Sequence, residues 1–208
     1  MDGVLVDNNV FHKKAYRIFC QKYGLELSDA DFERRVFGRT NADVLRELFG
    51  PSLTKARSKR YENEKEALYR HIYGPHVKPL PGLKVFLDAL RARGIPVAVA
   101  TSAPIANVRF TLARTGLSRR FRAIVDARHV KKGKPEPDIF LKAALRLGRR
   151  PAECLVVEDS LAGLEAARRA GMRAVAVSTT HSKRELKPRS LRVIRDFRDL
   201  GPVFLRNF

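Results

Sequence analysis

Val97-Ala98-Val99-Ala100-Thr101-Ser102 is a short apolar run that breaks into two hydroxyl residues, and its reading decides the fold. Four small apolar side chains in a row suit a strand buried on both faces, and the Thr-Ser pair suits the loop it opens into. Similar runs recur at Ala123–Val125, Cys154–Val157, Ala174–Val177 and, more weakly, Arg192–Ile194. Helical patterns lie between and around them, over Leu83–Arg93, Ile105–Thr115, Pro137–Leu147 and Leu161–Ala170. Gly94, Gly116, Gly148 and Gly171 stand where left-handed C-caps would end these helices. Alternating buried strands and helices predict an α/β fold with a doubly wound parallel sheet. The ligand site of such a sheet lies beyond the carboxyl ends of its strands.

Residues 9–76 read differently. Helical stretches cover Val10–Tyr23, Asn41–Phe49 and Lys55–Ile72, with no convincing strand, and Pro79-Leu80-Pro81-Gly82 marks the return to the sheet. The expected organisation is an α/β core from residues 1–8 and 77–208 with an all-helical cap, 9–76, inserted in it. A chain of 208 residues can bury such a core. No apolar run approaches the ~18–20 residues that span a bilayer, and no signal peptide is visible. Cys20 and Cys154 are far apart and form no CxxC, which argues against a zinc site or disulfide framework and for a reducing, cytoplasmic compartment. The formal charge of +20 could draw nucleic acid or phosphorylated small molecules. The basic residues are interleaved with apolar ones in amphipathic patterns, so they read as solvated faces biased toward anionic substrates rather than as a nucleic-acid surface.

Four separated stretches stand out beyond the fold. They are Asp2-Gly3-Val4-Leu5-Val6-Asp7; Thr101 at the end of its strand; Gly133-Lys134-Pro135-Glu136-Pro137-Asp138-Ile139-Phe140; and Val156-Val157-Glu158-Asp159-Ser160-Leu161-Ala162-Gly163. In order and spacing, over almost the whole chain, they resemble the haloacid dehalogenase superfamily of phosphohydrolases. The resemblance is to the helical-cap branch that includes sugar-phosphate phosphatases, phosphoglycolate phosphatase and β-phosphoglucomutase. It implies a Rossmann-like core and a Mg2+-dependent phosphatase of small phosphorylated metabolites, acting as a monomer or weak homodimer and not at a membrane.

The resemblance also assigns roles. Asp2 becomes the general acid/base, with its backbone carbonyl toward the metal. Lys134 supplies an ammonium to the phosphate and to a carboxylate nucleophile, and Thr101 with Ser102 offers hydroxyl and N–H groups to phosphate. Glu158 and Asp159 become metal ligands, Asp159 the more direct, since Mg2+ takes one or two carboxylates alongside water and phosphate. The bland alternative makes Asp159 or Ser160 an N-cap of the following helix. In the cap, His12, Arg39 and Asn41 become candidate substrate contacts. The sugar-phosphate mutases of this branch carry Arg where Asn41 falls, so the resemblance does not extend to mutase specificity.

One element of the family pattern has no residue here. The motif runs Asp-x-Asp, with the first Asp the nucleophile; Asp2 fits the second and Met1 the x. The expectation is that an internal methionine has been taken for a start, so that an apolar first core strand ending in Asp directly precedes Met1. Deleting a central strand would strip ladder partners from two neighbours at ~1–3 kcal/mol per buried group, against a net stability of ~5–15 kcal/mol. The rival expectations are a β-phosphoglucomutase-like mutase and a catalytically dead binding protein.

Overall fold

A computed structural model describes residues 1–36, 40–201 and 204. The chain forms two compact units, Met1–Asp7 with Val77–Phe208, and Asn8–His76. Among the described residues the smaller unit contains helices only: α1 (Asn9–Lys22), α2 (Asp29–Asp31) running into a π-helical turn Phe32–Val36, α3 (Asn41–Phe49) and α4 (Lys55–Tyr73). Thr40 and Thr54 cap α3 and α4 by accepting from the N–H groups of Asp43 and Arg57. The core of this unit is aromatic, with Tyr16, Phe19 and Tyr61 packed beside Val44 and Leu45.

Helix α4 shows how a very polar sequence still buries a face. Tyr61, Lys65, Tyr69 and Tyr73 recur every four residues and share one stripe, and all four are buried. Lys65 is therefore only 2% exposed, with its ammonium 4.3 Å from the centre of the Tyr16 ring. Its counter-charge is the adjacent buried Glu66, whose Oε1 also accepts from Asn41 Nδ2 at 2.7 Å. The Tyr16 hydroxyl donates to Asn41 Oδ1 at 2.5 Å and closes the network.

The larger unit runs α5 (Leu83–Ala92), β1 (Ala98–Ala100), α6 (Ile105–Thr115), β2 (Ala123–Val125), α7 (Asp138–Leu147), β3 (Leu155–Glu158), α8 (Leu161–Arg169), β4 (Arg173–Val177), α9 (Lys183–Leu186) and β5 (Arg192–Ile194). The glycines expected to end helices do so: Gly116 takes φ 72° after α6, and the Leu117 N–H closes onto the Leu112 carbonyl at 2.8 Å. Every strand pairing is parallel. Among the described residues the strands form two sheets rather than one, β1–β2 and β3–β4–β5.

Side chains of β4 alternate between two cores, as a pleated strand requires. Val175 and Val177 join residues of α5 and α6, and Ala174 and Ala176 join residues of α7 and α8. Helices thus cover both faces of the strands, which is the doubly wound, Rossmann-like arrangement. The sheet-facing layers explain why the strand sequences are continuously apolar.

The α4 network yields a stability test. Lys65→Met should lower stability by about 3–5 kcal/mol, because buried Glu66 would lose the ammonium paired with it. Adding Glu66→Gln should recover much of the loss, since the amide still bonds Asn41 while carrying no charge. Denaturant unfolding of the single and double variants measures both effects.

Candidate active site

The carboxyl end of β3 holds the densest chemistry. Glu158 is the last residue of that strand, and its buried carboxylate receives three groups. Lys134 Nζ sits 2.7 Å from Oε2, and the Ser160 hydroxyl and N–H donate to Oε1 at 2.7 and 3.1 Å. Burial favours the neutral carboxyl, but the Lys134 ammonium, the Met1 ammonium and these bonds outweigh it and hold Glu158 below the ordinary carboxylate range. Lys134 is itself largely enclosed, over the ring of Phe140 at 5.0 Å.

Asp159 has the opposite balance. It is 9% exposed and accepts a hydroxyl bond from Thr180. Burial and then the neighbouring Glu158 charge push its carboxyl well above the ordinary range. Ser160, not Asp159, caps α8, accepting from the Gly163 N–H at 3.1 Å. Asp159 is thereby left out of the capping role and stands as a buried acid.

Two glycines admit these carboxylates. A Cβ on Gly163 would lie 2.1 Å from Glu158 Cδ, and one on Gly3 would lie 1.9 Å from Asp159 Oδ2. Gly3 also has φ 66°, and its carbonyl accepts from the Thr179 hydroxyl at 2.5 Å. The Met1–Asp7 segment is therefore tied to the loop after β4, with the half-buried Asp2 beside Gly3. Thr101, buried at the end of β1, accepts from the Ala103 N–H at 3.1 Å, and Ser102 is exposed.

The arrangement fits a divalent cation. Among the described residues no group of three or more His, Cys, Asp or Glu side chains could hold a metal. A Mg2+ ion needs only one or two carboxylates with water and phosphate oxygens. Either carboxylate could hold such an ion; Glu158 is already engaged by Lys134 and Ser160, and Asp159 by the Thr180 hydroxyl.

Residues 1–177 match the haloacid dehalogenase-like hydrolase family. The chain belongs to that family. It is 35% identical over 177 residues to a fructose-1-phosphate phosphatase of Escherichia coli, covering 85% of this chain and 93% of that protein. It is 33% identical to a beta-phosphoglucomutase of Bacillus subtilis, covering 85% and 80%. A haloacid dehalogenase family IA hydrolase from Entamoeba histolytica superposes with a TM-score of 0.91 at 27% identity, over 100% of this chain and 95% of that one. Two matched proteins of Arabidopsis thaliana are much longer, and the chain spans 52% and 20% of them. Among the described residues no helix is long and apolar enough to cross a membrane.

In this haloacid dehalogenase-like chain, the structure brings Lys134, Glu158 and Asp159 together and places Thr101 at the same end of the strands. The cap candidates lie in the helical unit. His12 stacks on Tyr69 with ring centres 3.8 Å apart, and Asn41 is bonded to Tyr16 and Glu66. Arg39 lies outside the described residues. Sequence reasoning missed Thr179 and Thr180, although Ala174–Val177 followed by Ser178-Thr179-Thr180 repeats the pattern of Val97–Ser102. It also missed Asp126 after β2, whose carboxyl is buried but held low by Arg128.

Gly163→Ala is the sharpest test of this geometry. The new methyl group has no room beside Glu158, so the carboxylate must leave Lys134 or α8 must shift. A loss of about 1–3 kcal/mol in thermal unfolding is expected, whereas Gly171→Ala, with open space around it, should cost only its φ strain.

Proposed function

We propose that this chain is the body of a Mg2+-dependent phosphatase of small phosphorylated metabolites, sugar phosphates foremost, working through an aspartyl-phosphate. The observation that carries the reading is the buried Lys134–Glu158 pair beside the buried Asp159, at the strand ends where a parallel sheet binds ligands. The relatives named phosphatase support it. The first domain is taken as residues 1–8 and 77–208 and the cap as 9–76.

The nucleophile in this reading is a carboxylate on the residue directly before Met1. It attacks phosphorus as the bond to the ester oxygen breaks, and protonated Asp2 delivers its proton to that oxygen. Asp2, now a carboxylate, then takes a proton from water as the water oxygen attacks phosphorus, which releases inorganic phosphate and restores the nucleophile. Lys134 and the Thr101–Ser102 loop neutralise and position the phosphoryl oxygens. Asp159, with Glu158 behind it, would hold Mg2+, which when bound adds Lewis-acid charge at those oxygens. Continuing the chain before Met1 converts its ammonium to an amide and adds another carboxylate, so the demand for a cation rises.

Turnover tests the reading directly. The chain beginning at Met1 should hydrolyse p-nitrophenyl phosphate hardly at all. An apolar strand ending in Asp, fused before Met1, should restore hydrolysis, and the same strand ending in Asn should be slower by at least about a thousandfold. With a hexose 1-phosphate, free phosphate supports the phosphatase, and a hexose 6-phosphate would support the mutase that the Bacillus subtilis relative suggests. A well-folded Asp version that hydrolyses none of a broad panel of sugar and organic-acid phosphates contradicts the reading.

The metal assignment has its own signature. Asp159 is raised in the folded protein, so its ionisation costs stability as pH rises above the unfolded value near ~4. Asp159→Asn should therefore raise the Tm of the metal-free protein at pH 8 and abolish the Tm rise caused by Mg2+. Glu158→Gln should retain part of that rise, and equal losses would make both residues direct ligands.

A further inference from the structure

At the amino ends of β1 and β2, the opposite end of β1 from Thr101, the larger unit carries a recess of about 350 Å³. Its apolar lining is Leu87 of α5, Ile95 and Pro96 beyond that helix, and Phe121 before β2. Leu87 is buried and the other three are half-buried. Its charged lining is four arginines, Arg91, Arg119, Arg120 and Arg122, and among the described residues no acid lines it.

Backbone bonds gather these arginines from two segments. Arg91 lies in the last turn of α5, and Gly94 (φ 67°) reverses the chain there, with the Ile95 N–H on the Leu90 carbonyl at 3.0 Å. Arg119 and Arg120 lie in the turn after α6, where the Arg120 N–H meets the Leu117 carbonyl at 3.0 Å. The Arg122 N–H then donates to the Val97 carbonyl at 2.8 Å and holds the two segments side by side. A helix C-terminus favours a cation, which accounts for Arg91 but not for the three arginines beyond α6. Arg120 pairs with Asp88 of α5. Among the described residues Arg91, Arg119 and Arg122 make no ion pair. Three guanidinium charges around one recess are therefore left to repel each other.

We propose that this recess binds a small organic polyanion, a flat apolar body carrying two or more phosphate charges, of which a nucleoside di- or triphosphate is the type. Guanidinium groups present paired N–H donors that match phosphate oxygens two at a time. Three uncompensated charges call for a multiply charged group rather than a single carboxylate. Leu87, Ile95, Pro96 and Phe121 give the body of the ligand an apolar surface beside those charges. The volume falls at the lower end of the ~300–1,000 Å³ typical of small-molecule sites, enough for one ring system and its phosphates. Asp88 is the one carboxylate paired to the arginines, and it competes with the ligand for Arg120. The site stands apart from Lys134, Glu158 and Asp159, so the proposal does not rest on the phosphatase reading.

Titration calorimetry on the full chain tests this, with ATP as the probe and EDTA present so that no cation occupies the carboxylate site. ATP should bind saturably, and pyrophosphate and adenosine, each offering one half of the ligand, should bind at least about tenfold more weakly. Arg119 and Arg122 are exposed, so their loss should not disturb folding. Arg119→Ala and Arg122→Ala should each weaken ATP by about tenfold, and Lys at either position should restore only part of that loss. Asp88→Asn should tighten ATP by about two- to fivefold, because it frees Arg120. Arg184→Ala, which removes an exposed charge on α9, should change nothing. No binding of ATP, or binding that ignores Arg119 and Arg122, overturns the proposal. So does an equal loss with Arg184→Ala, which would reduce the effect to net charge, or pyrophosphate binding as tightly as ATP. Displacement of ATP by a short single-stranded oligonucleotide, at lower concentration than unlabelled ATP requires, would assign the recess to nucleic acid and overturn the occupant proposed here.

Discussion

A backbone N–H or C=O buried without a partner costs about as much as a lost hydrogen bond, and the core of this protein is organised around that constraint. Among the described residues its five strands are short, three to five residues each, and their pairings are parallel. Parallel strands need helices on both faces, and α5 to α8 provide them. The strands nevertheless divide into two sheets, and the edges of β1 and β3 turn toward one apolar cavity.

The electrostatics of the site follow from the same architecture. Strands that end together bring polar loops together, and the half-buried strand ends make isolated charges costly there. Glu158 meets that cost with Lys134 and Ser160; Asp159 has the Thr180 hydroxyl and the Met1 ammonium against burial and a like-charged neighbour. The two adjacent acids therefore shift in opposite directions, and such divergence marks a site prepared for chemistry or for a cation. Gly3 and Gly163 leave the space in which both carboxylates sit, so main-chain positions with no side chain are as much part of the site as the acids.

Much of this was legible in the sequence. The apolar run Val97–Ala100 and its repeats named the strands, and the glycines at 94, 116, 148 and 171 ended the helices, because buried parallel strands and left-handed caps leave few residue choices. Lys134, Glu158 and Asp159 could be picked out because charge at a strand end is unusual. Thr180 could not, since a threonine after a strand is common and only the fold shows it against Asp159. The Lys65–Glu66 pair was equally hidden: Lys65 looks like one of many surface lysines until the four-residue stripe of Tyr61, Tyr69 and Tyr73 is seen to carry it inward. The division into two sheets was not readable from periodicity, which reports burial but not which edge a strand presents.

Amide hydrogen exchange addresses the central claim most directly. In the chain beginning at Met1, the amides of Ala98, Ala100, Leu155 and Val157 should exchange much faster than the paired amide of Val99, because their edge faces the cavity. With an apolar strand fused before Met1 they should slow by at least about a hundredfold, to rates set by opening of the whole core. Equal, strong protection of all five amides without the added strand would mean that the edges already have partners, and would contradict the account.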